Sequence, residues 1–124
     1  MIKVFHRVMG NHRLHVANIN LDNMMKLDPA PSVNELLEMA FRLTQNIDGS
    51  WSRGPLFETG EENYDYDSRV ELVTPLHVDS DGKTWGHRST MMFDEMELNG
   101  KTYTVNAAGF SEKQPLKISP IKVA

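Results

Sequence analysis

Carboxylates alternate with phenols along Glu61-Glu62-Asn63-Tyr64-Asp65-Tyr66-Asp67. Such a run can turn negative charge toward a basic groove while the Tyr rings supply contact area. A protein can occupy a site built for nucleic acid in this way. The same charges would also keep a plain surface loop solvated. Glu61, Glu62, Tyr64, Asp65, Tyr66 and Asp67 are the candidate partner-binding residues. A second group lies in Trp85-Gly86-His87-Arg88-Ser89-Thr90. Here a guanidinium, an imidazole and two hydroxyls could surround a small anionic ligand. Trp85, His87, Arg88, Ser89 and Thr90 are the alternative ligand-binding set. The simpler reading makes Arg88 an internal ion-pair or backbone hydrogen-bond partner holding the loop, and Trp85 suits a core.

Other constellations fall short of a reaction. His6, His12 and His15 fall close together, and histidines on neighbouring strands can ligate a metal. No Asp or Glu accompanies them, so they read as surface histidines. Asp79-Ser80-Asp81-Gly82 resembles part of a calcium loop. Counted from Asp79, however, the fifth, sixth and twelfth positions hold Lys83, Thr84 and Thr90, where oxygen, Gly and Glu are needed. Asx-turn chemistry accounts for that stretch more simply. There is no G-x-S-x-G elbow and no phosphate-cradling Gly-rich loop. Neither a metal nor a cofactor is expected.

The composition sets outer bounds. The 124 residues suffice for one domain, 1–124, with a real core, and hydrophobic content of 40% is ordinary for a folded protein. The chain has no Cys, which excludes disulfides and thiolate chemistry and fits a reducing cytoplasm. Its first residues read as a strand rather than a signal peptide, and no run is long enough to cross a membrane. The net charge of −4 is uneven. From Glu58 to Asp81 the only Lys or Arg is Arg69, whereas Lys113, Lys117 and Lys122 lie near the end. That balance disfavours direct nucleic-acid binding, which depends on clustered bases. The eight Met residues read mainly as core filler.

Several elements must position these groups. Ile2 to Val8 and Leu14 to Asn20 flank a turn and predict an N-terminal hairpin, although alternation does not decide which face is buried. Asp22 to Lys26 predicts a helical turn capped by Asp22. The clearest helix starts at Ser32, with Glu35 completing a capping box. Val33, Leu36, Leu37, Ala40, Leu43, Thr44 and Ile47 form its stripe, and Asp48-Gly49 is expected to end it. Trp51 should fold back onto the core. Residues 52–67 read as a surface loop. Arg69 to Thr74 reads as a strand, and Asp81-Gly82 as the tight part of a turn. Asn99-Gly100 predicts a type I′ hairpin between Met92–Leu98 and Lys101–Ala107. The tail over 111–124 is expected to be extended.

Arg88-Ser89-Thr90, Asp94, Asn99-Gly100, Tyr103, Val105 and Gly109-Phe110 together resemble the C-terminal signature of small uncharacterised phage- and plasmid-borne proteins. That signature runs R-S-T-S-V-G-D, strand, N-G or D-G turn, strand with Tyr-x-Val, and a closing G-F. Phe41-Arg42-Leu43-Thr44-Gln45-Asn46-Ile47-Asp48 and Trp51 are similar to the same proteins' middle segment. Met91-Met92-Phe93 departs from the signature, which has S-V-G there. The resemblance covers about a third of the chain and implies a mobile-element origin, with no activity to carry over.

These readings converge on an α+β fold, one main helix packed on a mostly antiparallel sheet of hairpins. The expected function is non-catalytic binding of a host protein, with inhibition of a defence or nucleic-acid enzyme through the acidic loop. The alternative is a small-ligand or enzymatic site near Arg88. A third reading, a nucleic-acid binder using the Lys-bearing tail, is weaker because of the net charge.

Overall fold

The computed structural model describes residues 1–114. Its backbone is mostly antiparallel sheet with two short helices. In chain order the elements are β1 (Ile2–Arg7), β2 (Arg13–Ile19), α1 (Asp22–Met25), α2 (Val33–Leu43), β3 (Val70–Leu72), β4 (His77–Val78), β5 (Thr84–Trp85), β6 (Glu95–Leu98), β7 (Lys101–Asn106) and β8 (Gly109–Glu112). Six strands form one sheet in the order β3-β2-β1-β6-β7-β8, and β4 and β5 form a separate ribbon. The expected N-terminal and C-terminal hairpins are both present, joined edge to edge by β1 and β6.

Register decides the face that alternation left open. Val4 pairs with Ala17 and Phe5 with His15, so Val16 is an extra residue in β2. This bulge lets Val16 and Ala17 both be buried. Ile2, Val4 and His6 point into the core, where Ile19, Leu36, Leu37, Ala40, Trp51, Met96, Leu98 and Val105 also lie. Phe5 faces the other way, its ring covered by Arg13 at 3.9 Å and stacked on His15 at 4.8 Å. His6 is thus a buried residue, contrary to the surface reading of the three histidines.

Helix α2 starts where its sequence places it. Ser32 Oγ accepts from the Glu35 amide, and the Glu35 carboxylate accepts from the Ser32 amide. The end differs from expectation. The helix stops at Leu43, with Thr44 as its C-cap, and the Thr44 hydroxyl donates to the Ala40 and Phe41 carbonyls. Ile47 is therefore off the stripe and 70% exposed, and Val33 is exposed as well. Gly49 sits beyond the helix at an ordinary φ. Its missing Cβ serves another purpose: any side chain there would collide with Asn63 Oδ1 and press on Phe57.

The smaller elements are mixed. Leu21, not Asp22, is the N-cap of α1, and no side chain caps it. Asn99 and Gly100 have φ of 53° and 78°, as a type I′ turn requires. Of the tail expected to be extended, 111–112 belongs to β8, a strand that completes a three-strand meander; 115–124 lies outside the described residues. Trp51 is buried as expected, but Trp85 is 52% exposed, on the β4–β5 ribbon rather than in a core.

Candidate functional site

The loop over 52–67 contains no long element, yet its backbone is closely bonded. Leu56 bridges Glu62, Phe57 N–H donates to Glu61 O at 2.8 Å, and Asn63 N–H donates to Pro55 O at 2.9 Å. Buried Asn63 is the hub. Its Nδ2 donates to the carbonyls of Ser50 at 2.7 Å and Gly54 at 2.9 Å, and its Oδ1 accepts from Ser50 N at 3.0 Å. Asp65 performs the matching task two residues on. Its Oδ2 accepts from the amides of Ile47 at 2.7 Å, Asp48 at 3.0 Å and Gly49 at 2.7 Å. Three N–H groups just beyond the end of α2 are thus satisfied by one carboxylate.

Tyr64, between these two anchors, points outward and is 73% exposed. Tyr66 is less exposed, and Glu61 and Glu62 are exposed. Asp67 is committed elsewhere: it accepts from Arg69 Nε and Nη2, each at 2.9 Å. The hydrogen bonds from Arg69 keep its carboxyl below the usual range. The six acidic-loop candidates therefore divide into two groups. Glu61, Glu62, Tyr64 and Tyr66 face solvent, whereas Asp65 and Asp67 bind the loop to its own protein.

The Arg88 group is engaged inside the fold. Arg88 Nη1 and Nη2 donate to Asp94 at 2.6 and 2.8 Å, and Nη2 also donates to the Arg7 carbonyl. Ser89 Oγ accepts from Asn46 N at 2.8 Å. Buried Thr90 bonds His6 Nε2 through its hydroxyl at 2.9 Å, while its carbonyl accepts from Gln45 Nε2 and its amide donates to Thr44 O. The Trp51 indole N–H donates to Arg88 O at 2.8 Å, and Ser52 Oγ accepts from His87 N. Trp51 and His87 stack at 5.9 Å, and His6 meets both rings edge-on. Segments 41–51 and 88–94 therefore meet in space as one polar knot between α2 and β1. Trp85 is separate from it, its indole bonded to Asp79.

His6, Thr90 and Asp94 have the residue types of a nucleophile system, but all three are buried, which denies a substrate access to the hydroxyl. Burial drives the His6 pKa from 6.5 down to about 4, with Arg88 and His87 adding to the shift and Asp94 opposing it. Burial alone would push Asp94 up. Hydrogen bonds from Arg88 and the Arg7 and Met91 amides outweigh it, and the carboxyl lies below its usual range. Neutral His6 beside ionised Asp94 is a structural arrangement at neutral pH. Among the described residues, no group of three His, Asp or Glu side chains is placed to hold a metal.

Asp94 also shapes the turn before it. Its amide donates to Met91 O at 3.0 Å, and its Oδ2 accepts from Met91 N at 2.8 Å. Phe93, inside this turn, has φ of 75° and an exposed ring. Positive φ is an outlier for a bulky residue and costs roughly 1–3 kcal/mol. No residue-type pattern marked Asn63 as a hub, because that role depends on Ser50 and Gly54, which the fold brings beside it.

No protein-family model, curated protein or solved structure matches this chain. Among the described residues, no helix is long and apolar enough to cross a membrane.

Proposed function

We propose that this chain is a non-catalytic binding protein of phage or mobile-element origin, which acts in the host cytoplasm by inserting its acidic Tyr-bearing loop into a basic groove of a host defence or nucleic-acid enzyme. In this reading α2 is the main helix packed on the sheet, and the two form the scaffold that presents the loop. The supporting observation is Tyr64. A 73% exposed ring sits between two residues, Asn63 and Asp65, whose side chains are tied to the backbone around Ile47 to Gly54. An aromatic carried on an anchored backbone loses less entropy on binding than one on a free loop. Glu61 and Glu62 beside it supply charge that steers encounter with a basic surface. The Arg88 alternative lacks comparable support, since Arg88, Ser89 and Thr90 already have partners within the fold.

The test begins with affinity capture from host lysate and mass spectrometry. Association and dissociation rates for the captured protein are then measured at low and physiological salt. Glu61→Gln with Glu62→Gln should slow association several-fold at low salt, with a smaller effect at high salt. Tyr64→Ala should mainly speed dissociation. Unchanged kinetics in both variants would exclude the loop as the binding element.

A further inference from the structure

A separate concave site lies on the face of the sheet turned away from α2. Its volume is about 400 Å3, and its lining includes Phe5, Arg7, His12, Arg13, Phe93 and Lys113. That volume suits a small organic ligand. Its charge contrasts with that of the whole chain. Arg7, Arg13 and Lys113 face one carboxylate, Glu95. Glu95 is shared between Arg13 at 2.9 Å and Lys113 at 3.1 Å. Among the described residues Arg7 has no carboxylate partner; its guanidinium makes one long bond, 3.4 Å, to the Gly10 carbonyl. An unmatched Arg beside a second Arg and a His suits a phosphate, which guanidinium forks bind in a bidentate manner.

The opposite wall is aromatic. Phe93 is 56% exposed and lines this cavity with a backbone φ of 75°. The fold would accept Gly there without strain, so the ring is held at a cost in exchange for no core packing. A strained residue at a cavity wall is a reason to look for function. A flat exposed ring offers a stacking surface for a base. Asn11 and Thr104 add polar groups to the same lining.

We infer that this cavity binds a nucleoside monophosphate, its phosphate held by Arg7, Arg13 and His12 and its base stacked on Phe93. The occupant is a free nucleotide rather than a nucleic-acid strand, because Arg7 is the one cation of this lining without a carboxylate partner among the described residues, while Arg13 and Lys113 share Glu95, so the site matches a single phosphate.

Titration of the full chain with 5′-AMP, followed by calorimetry and amide NMR, tests this. AMP should bind and shift the amides of Phe93 and Thr104, with adenosine and inorganic phosphate each at least tenfold weaker. Arg7→Gln should weaken AMP at least tenfold. Phe93→Gly is the decisive variant. It relieves the φ strain, so its melting temperature should equal or exceed that of the parent chain while AMP affinity falls at least tenfold. Failure of AMP to bind at millimolar concentration, or full affinity in Phe93→Gly, would overturn the assignment. A short oligoadenylate binding more than tenfold tighter than AMP would also overturn it, in favour of a strand.

Discussion

Arg88 holds Asp94 with both terminal guanidinium nitrogens, at 2.6 and 2.8 Å, and Asp94 is fully buried while Arg88 reaches the surface. The same carboxylate accepts from the Arg7 and Met91 amides at 2.7 and 2.8 Å. One side chain thus joins β1, the Arg88 segment and the turn into β6. Asp94→Ala should cost about 1–3 kcal/mol, the range for leaving buried donors such as the Arg7 and Met91 amides without their acceptor, while the freed Arg88 can turn to solvent. Urea denaturation measures it. A loss under about 1 kcal/mol, within the spread of ordinary substitutions, would mean the knot is dispensable.

His6 makes stability depend on pH. Its folded pKa of about 4 lies below its ordinary 6.5, so the unfolded chain takes up a proton first as the pH falls. The stabilisation from burying neutral His6 is complete above 6.5 and is lost as the pH drops toward 4. Asp94, also held below its ordinary value, adds a further loss below about pH 4. Melting temperature should therefore fall across the first window, and His6→Gln should flatten the fall there while leaving the lower one. A parent profile flat from pH 7 to about 5 would contradict the buried neutral imidazole.

Ser32→Ala should lower stability by about 1 kcal/mol, because Ser32 Oγ satisfies the Glu35 amide at the helix start. Ser32→Asp should be tolerated. Gly100→Val should cost at least about 1–2 kcal/mol, since φ of 78° crowds a β-branched side chain. Urea midpoints of the three variants check both positions.

Local signals are the ones that could be read from the sequence. Ser32 with Glu35 and Asn99 with Gly100 each act over a few residues, and each appears in the structure as its spacing predicts. What could not be read was set by partners far away. Asn63 is a hub only because Ser50 and Gly54 come beside it. At the end of helix α2 the Thr44 carbonyl accepts from the Thr90 amide, a contact between distant segments that no hydrophobic stripe encodes. Strand β8 is the local exception: the chain reverses over Ala107-Ala108, two residues without the usual turn signal, and Gly109 opens the strand at φ 138°. Of the candidate site, the exposed Tyr64, Glu61 and Glu62 match the surface reading. Asp65 and Asp67 were indistinguishable from them in sequence, since a carboxylate that accepts backbone N–H groups looks the same as one that faces solvent.

Asp65 and Asp67 hold the loop, whereas Glu61, Glu62 and Tyr64 face solvent, so their losses should differ. Neutralising the whole acidic run would mix two effects, so the variants must be separated. Asp65→Ala removes the acceptor for the Ile47, Asp48 and Gly49 amides and should destabilise by about 1–3 kcal/mol. Asn63→Ala leaves the Ser50 carbonyl and amide without their side-chain partner and should be similarly costly. Gly49→Ala should also destabilise despite its ordinary φ, because the added methyl meets Asn63 Oδ1. By contrast, Tyr64→Ala and Glu62→Gln change only exposed groups and should leave stability within about 0.5 kcal/mol. Thermal melts of the five variants, with amide exchange at Ile47 to Gly49, distinguish the classes. If Asp65→Ala melts with the parent and those amides exchange no faster, the clamp does not hold Tyr64 in place, and the loop loses the preorganisation on which its proposed binding role rests.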